Sequence, residues 1–188
     1  MRLFVAIDLD AAARQAIADE QKRLMRAFGR TDRSLRWIQP DQMHLTLVFI
    51  GNVEDPRAEE IVDTMSADIT VPPFTIAFAG TGVFPPHGAP SVLWLGVSRG
   101  TPEAVELQRT VADRLEKVGV ARERRPYHPH LTLARWRTSR PSDRRRVVEA
   151  GRDGDVARVE VGAVVLYRSH LSPAGPTYAV LTSASLRT

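Results

Sequence analysis

The side chains best equipped for chemistry come in two matching sets. Residues 44–47 read His44-Leu45-Thr46-Leu47 and residues 130–133 read His130-Leu131-Thr132-Leu133, one set in each half of a 188-residue chain. Both sit among strand-forming residues, with Val48, Phe49 and Ile50 after the first and Trp136 after the second. In a strand, residues i and i+2 point the same way. His44 and Thr46 then share one face, as do His130 and Thr132, while the leucines between them press into a core. A cleft flanked by both copies presents two imidazoles and two hydroxyls, with no carboxylate among them. That inventory suits an anion with an oxygen to be displaced. A neutral imidazole can take a proton from an attacking water or hydroxyl, and an imidazolium can give one to the leaving oxygen. Two hydroxyls can hydrogen-bond the non-bridging oxygens of a phosphate. Histidine suits both roles because its ordinary pKa, about 6.5, leaves both forms accessible. One His-x-Thr alone would be read as a strand with a polar face; the repetition argues for a paired site.

The elements that must position these residues can be read along the chain. A first strand covers Arg2-Leu3-Phe4-Val5-Ala6-Ile7, and a helix follows Asp10 over 11–28 with Gly29 as its stop. A short strand at 35–38 turns through Pro40-Asp41 into the first motif strand, 43–50. Pro56 opens a helix over 55–68. Strands at 74–78 and 92–97 flank a breaker-rich loop, 80–88. A helix from Thr101 to about Val118 precedes the second motif strand. A short arginine-rich helix at 141–150 and strands at 156–166 and 177–185 complete the order. The plan is α+β with an internal duplication: two mainly antiparallel sheets facing a central cleft, helices outside. No long linker interrupts 1–188, so a single domain of two interwoven lobes is expected.

Composition narrows the class. Hydrophobic residues make up 43% and charged residues 26%, as in an ordinary globular protein. No apolar run is long enough to span a membrane, and the apolar start is cut by Asp8 and Asp10, so it reads as a strand. Cysteine is absent, which excludes disulfides and thiolate chemistry, and a cytoplasmic protein is expected. The net charge is +4, carried almost wholly by arginine. Arg122, Arg124 and Arg125 precede the second motif and Arg140, Arg144, Arg145 and Arg146 follow it. These clusters read either as a polyanion-binding surface or as solvated faces.

The paired motifs resemble those of the two-histidine phosphoesterase superfamily, and within it the RNA 2′,3′-cyclic phosphodiesterase family once called 2′-5′ RNA ligases. The resemblance covers nearly the whole chain. It runs from the opening strand through Trp37-Ile38, Phe49-Ile50-Gly51 and Val92-Leu93-Trp94-Leu95-Gly96-Val97. It continues through Pro126-Tyr127-His128-Pro129-His130 to Arg135, then Ser169-His170-Leu171-Ser172-Pro173 and Gly175-Pro176-Thr177-Tyr178. It implies a bilobal α+β fold, no metal or other cofactor, and hydrolysis of a terminal 2′,3′-cyclic phosphate to a 2′-phosphomonoester. The partners it implies are RNA or nucleotides ending in such a phosphate, and a monomer is expected. It makes His44 the proton donor and His130 the acceptor, and Thr46, Thr132 and Arg135 the phosphate holders. Simple strand parity would turn Arg135 away from His130, so the strand must end or bulge near Ala134. Phe49 holds the equivalent place in the first copy, where a ring can pack in the core or stack on a base.

Rival readings remain open at this level. His87 and His170, placed in loops, and His128 beside Pro129 are weaker site candidates. Zinc would need a closely spaced ligand set with a supporting carboxylate, and His128-x-His130 has no acidic neighbour. The same site could join a 5′-hydroxyl to form a 2′–5′ linkage, although abundant water favours hydrolysis. It could also process a small nucleotide cyclic phosphate or a 2′–5′-linked oligonucleotide. A non-catalytic RNA-end binding module is the alternative from another class, but binding alone requires no pair of proton carriers.

Overall fold

The computed structural model describes residues 1–29, 34–172 and 175–188. Its strands are β1 (Arg2–Ile7), β2 (Leu35–Trp37), β3 (Leu45–Asn52), β4 (Ile69–Thr70), β5 (Phe74–Phe84), β6 (Val92–Arg99), β7 (His130–Trp136), β8 (Asp155–Val161), β9 (Ala163–Ser172) and β10 (Gly175–Arg187). Its helices, among the described residues, are α1 (Ala11–Phe28), α2 (Asp55–Met65), α3 (Thr101–Glu116) and α4 (Asp143–Ala150). The strands form two five-stranded sheets, ordered β3-β1-β9-β10-β4 and β2-β7-β6-β5-β8. Every pairing is antiparallel except that of β10 with β4. Each half of the chain lends strands to the other's sheet: β2 joins the second sheet, while β9 and β10 return to the first. The α+β, bilobal, duplicated plan expected from the sequence is the observed one.

Local chemistry explains the frame. The Asp10 side chain accepts from the Ala13 amide at 2.7 Å and so caps α1. Alternate residues Leu3, Val5 and Ile7 of β1 enter the main core, which also takes Leu45, Leu47, Leu131 and Leu133. The other face of β1 carries Phe4 and Ala6, which form a second small cluster with Tyr167, Val165 and Tyr178. The first sheet is therefore apolar on one face, toward the main core, and aromatic on the other, toward the cleft.

Several boundaries differ from expectation. Residues 80–84 are not loop but the end of β5. A Cβ at Gly82 would stand 2.2 Å from the Trp94 ring, so the residue must be glycine for that indole to lie flat across the strand. Gly80 has φ +68° at the register shift between Ala79 and Thr81, where a β-bulge needs it. Here the glycines are packing and bulge residues inside a strand. The single strand expected at 156–166 is two, broken at Gly162 and divided between the sheets. β9 then runs on to Ser172, so His170 lies in a strand opposite Thr177 rather than in a loop. Pro173 lies outside the described residues.

Candidate active site

The two motif strands are built alike to the residue. In β3, Leu45 faces Ile7, Thr46 faces Ala6 and Val48 faces Val5, leaving Leu47 unpaired. In β7, Leu131 faces Leu95, Thr132 faces Trp94 and Ala134 faces Leu93, leaving Leu133 unpaired. Both copies therefore carry a β-bulge three residues after the histidine. The bulge resets the alternation: Leu133 and Ala134 are both buried, and Arg135 emerges exposed on the side of His130 and Thr132. That is the break near Ala134 that a cleft-facing Arg135 requires. Its carbonyl side is pinned, because the Leu133 carbonyl accepts from the Ile38 amide and from Gln21 Nε2, each at 2.9 Å. Gln21 is buried on α1 and also donates to the Ile38 carbonyl at 2.9 Å. A buried amide forming two such bonds is costly to lose. Gln21→Leu is expected to lower stability by about 1–3 kcal/mol, read as a lower urea midpoint at constant slope.

Phe49, at the place equivalent to Arg135, is 56% exposed. The core-packing use of this ring is thereby overturned: the Leu47 bulge turns it outward, and the Arg2 guanidinium lies 4.8 Å from its centroid.

The histidines are held in matching fashion. His44 sits just ahead of β3 and bonds through Nδ1 to the Gln42 carbonyl at 2.9 Å; His130 bonds through Nδ1 to the His128 carbonyl at 2.7 Å. A carbonyl only accepts, so each Nδ1 carries the hydrogen and each Nε2 is left for the cleft. Arg14 fixes the approach to His44 by donating to the Pro40 and Met43 carbonyls at 3.0 and 3.1 Å. Tyr127 crosses between the motifs, its hydroxyl donating to the Thr46 carbonyl at 2.9 Å.

Aromatic walls set the electrostatics. His44 stacks on Phe4 at 4.7 Å and meets Tyr178 edge-on at 5.2 Å. His130 meets Phe84 edge-on at 4.9 Å, with Trp94 at 6.3 Å. Burial pushes His44 down to about 4, against the opposing influence of the Gln42 carbonyl and the Asp8 carboxylate. Burial also lowers His130, where the charges of His128 and Arg135 add to the effect. Arg135 acts on both rings in the same direction. Asp8 favours a proton on His44 and has no counterpart at His130, but it is ion-paired with Arg14, whose charge opposes it at the same ring.

The other candidates stand differently toward this group. His128 is exposed but shares the wall of His130: its ring meets Trp94 at 5.2 Å and Phe84 at 5.6 Å, both edge-on, and stacks near His130 at 6.4 Å. His87 is exposed in the turn after β5, and His170 is exposed on β9. The arginine clusters are largely engaged internally: Arg122 with Asp113 and Glu116, Arg125 with Glu123, Arg145 with Glu149, Arg146 with Asp143. Arg144 donates to the Pro85 and Gly88 carbonyls at 3.0 Å. Among the described residues, no group of three His, Asp or Glu is placed to hold a metal ion, and no helix is long and apolar enough to cross a membrane. Sequence reading missed Gln21, Asp8, Phe4, Phe84 and Tyr178 as supports. Only Phe4 and Tyr178 left a trace, in the segments that carried the resemblance.

Two lobes, each with a His-x-Thr motif at the head of a bulged strand, define a class of duplicated two-histidine folds. The chain belongs to the 2′-5′ RNA ligase superfamily, whose family model matches residues 13–173. An RNA 2′,3′-cyclic phosphodiesterase of Archaeoglobus fulgidus is 33% identical over 178 residues, 95% of this chain and 96% of that protein. One from Methanothermobacter thermautotrophicus is 35% identical over 185 residues, 95% of each. Among solved structures, Escherichia coli LigT in complex with 3′-AMP matches with a TM-score of 0.76 and 25% identity, covering 100% of this chain and 98% of that one. A protein of Thermus thermophilus matches with a TM-score of 0.75 and 28% identity over the same shares.

Proposed function

We propose that this protein hydrolyses 2′,3′-cyclic phosphates at RNA or nucleotide ends to 2′-phosphomonoesters, using two histidines and no metal. The observation that carries the reading is the matched pair of Nε2 atoms, one per lobe, each freed by an Nδ1 bond to the carbonyl two residues back. Displacement at phosphorus needs attacking and leaving oxygens in line. Two lobes related by duplication supply one ring to each side. His130, neutral, takes a proton from water as its oxygen attacks phosphorus. The bond from phosphorus to the 3′ oxygen breaks, and His44 gives that oxygen its proton. The product is a 2′-phosphate and a free 3′-hydroxyl. Thr46 and Thr132 hold the non-bridging oxygens, and Arg135 neutralises their charge. The order of donor and acceptor follows the resemblance of the first and second motifs to those of the family, in which the first histidine gives the proton and the second takes one. The names of the full-length relatives support the substrate class.

The test is turnover of a nucleoside 2′,3′-cyclic phosphate after exhaustive treatment with a strong chelator, with the product read by ³¹P NMR. An undiminished rate and a 2′-phosphomonoester are expected. Activity lost to the chelator and restored by zinc or manganese would overturn metal independence, and a 3′-phosphomonoester would overturn the assignment of the broken bond.

The pH dependence follows from burial. Both rings are lowered in the free protein, so the alkaline limb of kcat/KM should fall below the ordinary histidine value of about 6.5. A bound phosphate anion favours the charged ring, which moves the alkaline limb of kcat to higher pH. The limbs belong to the pair rather than to one ring. Coincident limbs in the two profiles would contradict this.

A further inference from the structure

Arg36 and Arg135 stand directly opposite one another across β2 and β7. Both are exposed, and neither makes an ion pair or hydrogen bond among the described residues. Like charges placed opposite in a sheet are destabilising, and the sequence offers carboxylates freely elsewhere: Arg122, Arg125 and Arg145 each have one. The pair lies in one cross-strand row with Val92 and Phe84, on the side of the second sheet that carries His130. Arg36 also reaches the other sheet, because a Cβ on Gly175 at the start of β10 would stand 2.7 Å from its Nη2. From the first lobe, Arg2 shares the cleft-side alternation of β1 with Phe4 and Ala6 and leans over Phe49. Arg2 lies in one cross-strand row with Ser169 and Tyr178, the ring that meets His44 edge-on, and the charges of Arg135, Arg2 and Arg36 all act on Tyr178. The catalytic scheme uses only Arg135. Two arginines with no carboxylate are left beside it.

We infer that Arg36 and Arg2 form a second anion subsite, which takes the phosphate on the 5′ side of the ribose that carries the cyclic phosphate. This rests on the cyclic phosphodiesterase reading. The ribose's 2′ and 3′ oxygens are both committed to the cyclic phosphate, so a further phosphate on that nucleotide leaves through the 5′ oxygen. Arg36 neighbours Arg135 directly, which places the two sites one nucleotide apart rather than at opposite ends of the molecule. An anion between Arg36 and Arg135 also removes the repulsion that the free sheet carries. The preferred substrate is then an RNA end of two or more nucleotides, or a nucleotide bearing a 5′-phosphate, over a bare nucleoside cyclic phosphate.

The experiment is calorimetric binding of three product-like ligands: a nucleoside 2′-phosphate, the corresponding 2′,5′-bisphosphate, and a dinucleotide with a terminal 2′-phosphate. The 5′-side phosphate should tighten binding about tenfold or more, as one charge-assisted contact does. Arg36→Ala should abolish that advantage, Arg36→Lys should keep part of it, and Arg109→Ala, the same charge change on α3, should keep it all. The dependence of log Kd on log salt for the dinucleotide should lose roughly 0.7 in slope with Arg36→Ala, the single-strand value for one phosphate. Arg36→Ala should melt no lower than the parent. Tightening by the dinucleotide alone identifies an RNA end, and tightening by the bisphosphate alone a small nucleotide; either supports the subsite. Equal binding of all three ligands by the parent overturns it, as does an advantage that persists in Arg36→Ala or a loss shared equally by all ligands. Turnover of the nucleoside cyclic phosphate is read separately, so failure of the hydrolytic reading and failure of the subsite have different signatures.

Discussion

Replacing His44 or His130 by Ala is expected to lower kcat/KM by at least ~10², and by as much as ~10⁴, since a positioned general acid or base contributes on that order. The geometry motivates the range: each ring aims a free Nε2 from a fixed Nδ1 bond. The double variant should lose far less than the product of the two singles, because both rings serve one displacement. His44 stacks on Phe4, so its removal also opens a space beneath the aromatic cluster. His44→Gln fills most of that space without a ring to carry the proton, and should lose as much activity as His44→Ala with less loss of stability. Near-native turnover in either single variant would remove that histidine from the chemistry.

Arg135→Ala should lower kcat/KM by about 10- to 100-fold, the worth of a charge-assisted contact of ~1.5–3 kcal/mol. The side chain is exposed and makes no hydrogen bond or ion pair among the described residues, so the fold should be unaffected. A second effect has a definite sign. The Arg135 charge lowers both histidines, so its removal should move the alkaline limb of kcat/KM to higher pH. Arg135→Lys should restore the limb but only part of the rate, because an ammonium keeps the charge and loses the planar fork. A rate loss with an unmoved limb would place Arg135 too far from the rings for the proposed role.

What the sequence made legible was the repetition. His44-x-Thr46 and His130-x-Thr132 needed only strand parity to share a face with each other's hydroxyl, and their leucines are core residues in the structure. The bulge could be inferred at Arg135, where chemistry demanded a face that parity denied. At Phe49 nothing demanded it, since an aromatic ring is at home in a core, and the same bulge went unread. Glycine misled for the opposite reason. Gly80 and Gly82 read as loop formers, yet one serves a bulge and the other makes room for Trp94, a contact between strands that no local pattern encodes. Gln21 and Arg36 were silent because their roles depend on which strand lies beside them. α1 meets the β2–β7 junction only after the chain folds, and β2 joins the sheet of the other half.

The most direct measurement of the two-histidine account compares His44→Ala and His130→Ala on an activated phosphodiester with a nitrophenolate leaving group. Such a leaving oxygen hardly needs a proton, whereas attacking water must still lose one. His44→Ala should therefore recover most of its lost rate on this substrate and show no alkaline limb, while His130→Ala should remain impaired. Equal rescue of the two variants, or rescue of His130→Ala alone, would contradict the division into a donor at His44 and an acceptor at His130.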